Sequence, residues 1–151
     1  MKTFNSVNEL LDFAIGEEEK AAQFYTDLAG KTKRSGTQDL FNQFSREEMG
    51  HKAKLLEIKN GKQFDHAAGK ILDLKLAEYL VDVPASPQLN YQEALILAMK
   101  REKAAFRMYS DLAASVSDPK LRDTLLGLAQ EEAKHKLRFE VEYDDEILTE
   151  N

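Results

Sequence analysis

Two copies of a carboxylate–imidazole pair stand out in this sequence. Glu48 is followed three residues later by His51, within "EEMGHKAKL", and Glu132 is followed by His135, within "EEAKHKLRF". Glutamate oxygens and histidine nitrogens bind transition metals, and residues three apart on a helix lie on the same face. One Glu-x-x-His pair is common by chance. Two pairs in the same local context indicate a metal site.

An internal repeat connects each pair to a third acidic residue. When the chain is shifted by 84 residues, Glu18 falls on Glu102, and the first Glu-x-x-His pair falls on the second. The sixteen-residue segments that begin at Ala14 and Ala98 are identical at seven positions. A repeat of this kind predicts two similar halves arranged around a pseudo-twofold axis.

The apolar residues predict four long helices that would position these side chains. Their three- and four-residue spacing runs through residues 7–31, 37–60, 90–116 and 118–143. Asp118 before Pro119 is typical of a helix start, and Gly61 predicts a left-handed end of the second helix. Since each segment is longer than the usual helix, the pattern favours a bundle.

The connections between the helices predict the topology. Short loops make residues 7–60 one antiparallel hairpin and residues 90–143 another. The longer stretch 61–89 would be a crossover with a short helix around residues 70–81. We therefore expect an all-α, antiparallel four-helix bundle in a single domain over residues 1–151.

Six polar residues fall on the apolar stripes of the four predicted helices. They are Glu18, Glu48, His51, Glu102, Glu132 and His135. Four buried carboxylates without a cation would be unstable, and no lysine or arginine shares these stripes near them. Two divalent ions would neutralise the four charges. Oxygen and imidazole ligands without sulfur suit iron or manganese, and zinc also fits.

Other polar residues near the stripes have simpler interpretations. Several acidic residues are next in sequence to the glutamates on the stripes and are rotated away from them by about 100° around the helix, so we expect them to face solvent. They are Glu17, Glu19, Glu47 and Glu131. Tyr25 and Tyr109 are either core aromatics or donors to the ligand carboxylates. His66, in the crossover, is expected to be a solvent or packing histidine.

Composition excludes several classes of function. A net charge of −6 and the lack of a basic stripe argue against a nucleic-acid partner. The longest apolar run, Ala94–Met99, is too short to span a membrane. No signal peptide is evident at the N-terminus, so we expect a cytoplasmic protein. There is no cysteine, which excludes disulfides and thiolate metal sites within the chain.

The paired motifs resemble those of the rubrerythrin-like branch of the ferritin-like di-iron carboxylate superfamily. The resemblance covers nearly the whole chain and implies a ferritin-like bundle with two iron ions. It implies that the six stripe residues are the metal ligands, with Glu48 and Glu132 as bridges. It also implies reaction with peroxide or oxygen, and we expect a homodimer.

Two differences from typical rubrerythrins affect the expected function. Those proteins carry a cysteine-rich rubredoxin domain that relays electrons, so this chain would need a separate electron-donor protein. They also carry an additional metal-binding glutamate where this sequence has Ala105. The remaining six-ligand set is closer to the ferroxidase centre of bacterioferritins.

Three functions remain open from the sequence. The first is a di-iron oxidoreductase that reduces peroxide or oxygen, with a role in oxidative stress. The second is a ferroxidase or iron-handling protein, for which iron is a substrate. The third is a non-enzymatic bundle whose metals are structural and whose surface binds a partner.

Overall fold

The described part of this protein folds into four helices. The computed structural model describes residues 7–61 and 89–150, with side chains described over residues 8–61 and 89–146. The helices are α1 (Val7–Ala29), α2 (Ser35–Asn60), α3 (Tyr91–Ser115) and α4 (Pro119–Glu150). The all-α prediction is confirmed. The predicted crossover with its short helix and His66 lies outside the described residues.

Local side-chain chemistry explains where the helices begin and end. Asn90 and Glu93 form a reciprocal capping box at the start of α3. The Asp118 carboxylate accepts a hydrogen bond from the backbone N–H of Lys120, 3.2 Å away, as predicted for a helix start. The prediction for Gly61 was wrong, because its φ of −76° and ψ of −6° are right-handed. Helix α4 continues past residue 143 through a polar segment, which apolar spacing does not reveal.

The helices pack as two hairpins, α1 against α2 and α3 against α4. Their apolar stripes form two hydrophobic clusters. The first is mainly aliphatic and includes Leu11, Leu55, Leu112 and Leu125. The second is rich in aromatic rings and includes Phe24, Tyr25, Phe41, Phe44 and Phe139. Each cluster contains residues from all four helices, so both clusters join the two hairpins.

No helix in the described part of the chain combines the length and the apolar character that crossing a membrane requires.

Candidate metal centre

The six polar residues predicted from the stripes meet inside the bundle. Each is at most 4% exposed: Glu18, Glu48, His51, Glu102, Glu132 and His135. They form two groups of four, and within each group one ligand atom per residue lies within 4.8 Å of the others. One group contains Glu18 and His51, and the other contains Glu102 and His135. Both groups contain Glu48 and Glu132, which occupy the positions that bridging ligands would require.

The two imidazoles turn the same nitrogen towards these carboxylates. His51 Nδ1 lies 2.8 Å from Glu132 Oε1, 3.3 Å from Glu48 Oε1 and 3.5 Å from Glu18 Oε2. His135 Nδ1 lies 3.3 Å from Glu48 Oε1 and 3.8 Å from Glu102 Oε2. These two nitrogens and four oxygens are buried, and none has a hydrogen-bond partner outside the cluster that the six atoms form.

Two buried tyrosines link the hairpins at the centre. The Tyr109 hydroxyl donates a hydrogen bond to Glu18 Oε1 at 2.5 Å. The Tyr25 hydroxyl donates to Glu102 Oε1. Each tyrosine therefore holds one oxygen of a carboxylate from the opposite hairpin, while the other oxygen of that carboxylate is among the unpartnered atoms. Of the two sequence interpretations, these contacts favour the role of donors.

Two glutamates interpreted as purely solvent-facing make contacts that the sequence did not reveal. Glu131 forms a hydrogen bond with His51 Nε2, and Glu47 lies 3.3 Å from His135 Nε2. The side chains of Glu131 and Glu47 are 53% and 43% exposed, so the expectation of solvent exposure holds. Since an ionised carboxylate only accepts hydrogen bonds, Nε2 carries the hydrogen, and Nδ1 is left to face the centre.

Electrostatics show why the centre needs positive charge. Burial, reinforced by the Glu132 charge, raises the pKa of Glu18 to about 7. Burial also raises the pKa values of Glu48 and Glu102 well above their usual range. Burial alone would lower the His51 pKa, but the carboxylates of Glu132 and Glu18 outweigh it and raise that pKa to about 11. Without metal, protons must therefore compensate the carboxylate charges.

Lysine and arginine do not supply the compensating charge. Among the described residues, the ion-pair partners of the four central carboxylates are the two histidines. Two divalent cations would interact with all six unpartnered atoms and balance the four carboxylates. The residues present therefore fit a pair of metal ions. Hard oxygens and imidazole nitrogens are suitable ligands for iron or manganese.

Comparison with known proteins shows the family of this chain. The family model described as Rubrerythrin matches residues 9–143, which is most of the sequence. The chain belongs to the rubrerythrin family. No curated protein matches the sequence.

Two solved structures resemble this chain. One is a candidate ferritin-like diiron-carboxylate protein from Thermotoga maritima, with a TM-score of 0.78 and 17% identity, covering 97% of this chain and 99% of that one. The other is a hypothetical protein from Pyrococcus furiosus, with a TM-score of 0.73 and 27% identity, covering 93% and 89%. The ferritin-like fold predicted from the sequence is confirmed.

A small cavity borders the four central carboxylates, between α1 and α3. Its volume is about 30 Å³, enough for about two water-sized molecules, and Glu18, Glu48, Glu102 and Glu132 are among its lining residues. The remaining wall consists of residues from α1 and α3: Phe13, Glu17, Ala21, Arg101, Ala104, Ala105 and Met108. Ala105 therefore leaves open space beside the ligand candidates, where typical rubrerythrins have another carboxylate.

The surroundings of the two histidines differ despite the repeat. The His135 ring stacks on Phe44 with centroids 4.1 Å apart, and Tyr25 meets it edge-on at 6.4 Å. The residue equivalent to Phe44 in the second hairpin is Leu128, a buried member of the aliphatic cluster. The two halves of the centre are therefore chemically similar but not equivalent.

Proposed function

We propose that this protein reduces hydrogen peroxide to water at two iron ions held between its hairpins. The proposed ligands are Glu18, Glu48, His51, Glu102, Glu132 and His135. The observation that supports the proposal most strongly is the convergence of six buried oxygen and nitrogen atoms that have no hydrogen-bond partner outside their own cluster. A buried polar atom without a partner is costly, and a bound cation removes the cost for all six.

The iron ions, when bound in the ferrous state, would supply the two electrons that cleavage of the peroxide O–O bond requires. One peroxide, two electrons and two protons give two water molecules, so no radical needs to leave the site. The electrons must be replaced after each turnover. The proposal assigns this replacement to a separate electron-donor protein.

The residues of the chain would orient the ligands during this reaction. Glu48 and Glu132, which belong to both groups of candidate ligands, would bridge the two ions. The hydroxyls of Tyr109 and Tyr25 fix one oxygen of Glu18 and Glu102, so the second oxygen is free to bind. The contacts from Glu131 and Glu47 hold the imidazole rings in one orientation.

The cavity between α1 and α3 provides a place for the oxidant. Its size suits a molecule of two heavy atoms, and the four central carboxylates form part of its wall. Phe13 and Met108 line the same space, and such side chains limit the water that surrounds the oxidant. A small neutral oxidant would therefore reach the centre without displacing a ligand.

Stopped-flow oxidation of the air-free diferrous protein tests the proposal. Peroxide should oxidise the centre at least about tenfold faster than oxygen at equal concentration, which corresponds to roughly 1.4 kcal/mol in barrier height. The growth of diferric absorbance follows the reaction. Equal rates, or a faster reaction with oxygen, would contradict peroxide reduction.

A ferroxidase function is the second candidate, because Ala105 stands where typical rubrerythrins carry an additional carboxylate. Its methyl group lines the cavity and leaves the six-residue set seen in ferroxidase-like centres. The two functions differ in what happens to iron after oxidation. Retention of two ions per chain supports a cofactor, whereas release of oxidised iron or growth of a mineral supports iron handling.

A further inference from the structure

A groove on the outer surface of the second hairpin combines positive charge with exposed apolar groups. This α3–α4 groove has a volume of about 420 Å³. Its cationic lining residues are Lys103, Arg107 and Lys136, and its main apolar ones are Phe106 and Leu137. Leu137 is 61% exposed, the highest value among the large hydrophobic side chains of the described residues.

The charge of the groove contrasts with that of the whole protein. Lys136 forms an ion pair with Glu140, which also lines the groove. Lys103 and Arg107 form no ion pair with another described residue. The chain as a whole has a net charge of −6. An acidic protein would therefore be repelled by most of this surface and attracted to the groove.

The internal repeat provides a comparison surface within the same chain. The positions equivalent to Lys103, Arg107 and Lys136 are Glu19, Gln23 and Lys52 on the first hairpin. There Lys52 pairs with Glu19 at 2.6 Å, so these three positions have no net charge. The positions equivalent to Phe106 and Leu137 are Ala22 and Ala53. The positions equivalent to Ala133 and Glu140 are Met49 and Leu56, which are exposed apolar residues. The first hairpin thus also exposes apolar groups, and the cationic character of the groove is what distinguishes α3 and α4.

The groove also lies close to the candidate metal centre. Lys103 follows Glu102 directly in the chain, and Lys136 follows His135. On these two helices, the inward side chain belongs to the centre and the next residue lines the groove. A molecule bound in the groove would be separated from the centre by the wall formed by α3 and α4.

We propose that the α3–α4 groove is the docking surface for a small acidic electron-carrier protein. The inference rests on the proposed function, because peroxide reduction consumes two electrons that a partner must replace. Two one-electron donors would dock in turn, each leaving oxidised by one electron, and together they would restore the electrons transferred to peroxide. A second copy of this chain fits less well, since a twofold contact through this face would oppose like charges.

The experiment measures reduction of the peroxide-oxidised, iron-loaded protein by a reduced rubredoxin of net negative charge. Lys103→Gln combined with Arg107→Gln removes two positive charges from the groove. At low ionic strength, the second-order rate constant should fall about tenfold or more, and the wild-type rate should decrease as salt is added. Leu137→Ser, at an exposed position, should also slow the reaction without disturbing the core.

The matched control removes two positive charges from the first hairpin, through Lys52→Gln with Lys54→Gln. This double variant should react with rubredoxin nearly as fast as the wild type. Reduced methyl viologen, which needs no protein docking surface, should reduce all variants at similar rates. An equal loss of rate in both double variants, or no loss in either, would overturn the proposal. A changed oligomeric mass with an unchanged donor rate would assign the groove to contacts between copies.

Calorimetric titration of the zinc-loaded protein with the same rubredoxin separates this inference from the proposed function. Zinc is redox-inert, so the titration measures docking whether or not the iron form reacts with peroxide. Docking that weakens in the Lys103→Gln, Arg107→Gln variant supports the groove even if peroxide oxidation fails. Unchanged affinity in that variant contradicts the groove even if peroxide oxidation succeeds.

Discussion

Glu131 of α4 forms a hydrogen bond with Nε2 of His51 on α2, so a solvent-exposed carboxylate of one hairpin orients a buried imidazole of the other. The repeat places Glu47 near His135 in the reciprocal arrangement. These two contacts connect α2 and α4 directly at the level of the candidate metal centre. They also give a structural role to residues that the stripe pattern places on the solvent side.

The first prediction follows from these contacts. Glu131→Ala should weaken metal binding about 10–100-fold, because His51 loses the partner that fixes its ring orientation. Glu131→Gln should retain much of the affinity, since the amide oxygen still accepts a hydrogen bond from Nε2. Competition with a metal chelator measures the affinity. Glu57→Ala removes an exposed glutamate of α2 and is the control. Equal affinities for the wild type and Glu131→Ala would show that the contact has no role in binding.

The second prediction concerns the two residues shared by both ligand groups. Glu48→Ala and Glu132→Ala should each reduce occupancy of both metal positions, because each change removes a ligand from both groups. Glu18→Ala should mainly reduce occupancy of the metal position beside His51, because Glu18 belongs to that group alone. Metal analysis after loading with a fixed excess of iron gives the stoichiometry. Retention of two ions by Glu132→Ala would exclude Glu132 as a bridge.

The third prediction is the pH dependence of the metal-free protein. In the folded state, the pKa values of Glu18, Glu48 and Glu102 are raised above 4.5, to about 7 for Glu18. A raised pKa stabilises the fold fully below the unfolded-state pKa, and this contribution is lost as pH rises through the folded-state pKa. The lowered pKa of Glu132, where the contact with His51 outweighs burial, affects stability only below pH 4.5. Between pH 5.5 and 8, the raised pKa of His51 adds to the trend, and the pKa of His135, which burial lowers, opposes it.

The metal-free protein should therefore melt at a higher temperature at pH 5.5 than at pH 8, by about 5 °C for a domain of this size. Bound metal should flatten this dependence, because the cations replace the protons. Glu18→Gln, which is neutral at both pH values, should reduce the difference in the metal-free protein. Thermal unfolding followed by circular dichroism measures each case. A metal-free protein that melts at the same temperature at both pH values would refute the charge argument.

The fourth prediction concerns the cavity between α1 and α3. Ala105→Leu should fill part of a space of only about 30 Å³ and slow oxidation by peroxide about tenfold. Metal stoichiometry should stay unchanged, because Ala105 is not among the candidate ligands. Ala53→Leu, an exposed change of the same size on α2, is the control. Stopped-flow kinetics at several peroxide concentrations measure the rate. A normal rate in Ala105→Leu would mean that the oxidant uses another route.

The ferritin-like bundle and the six central residues were predictable from the sequence because they depend on local periodicity. A helix places residues three and four apart on one face, so Glu48 and His51 must share the face of Phe44 and Leu55. The repeat then shows that Glu132 and His135 have the same position in the second hairpin. Since buried carboxylates need compensating charge, the chemistry of a metal site follows without knowledge of the packing.

Only the tertiary structure decided which residues meet across the hairpins. The contact between His51 and Glu131 depends on how α2 and α4 are rotated and spaced, and no pattern within one helix contains that information. A glutamate that lies beside the apolar stripe can still direct the carboxylate of its flexible side chain towards a buried residue. The cavity beside Ala105 likewise arises only where α1 approaches α3, and the α3–α4 groove only where the outer faces of two helices meet. Sequence periodicity determines the inward face of each helix, whereas contacts between helices depend on their three-dimensional arrangement.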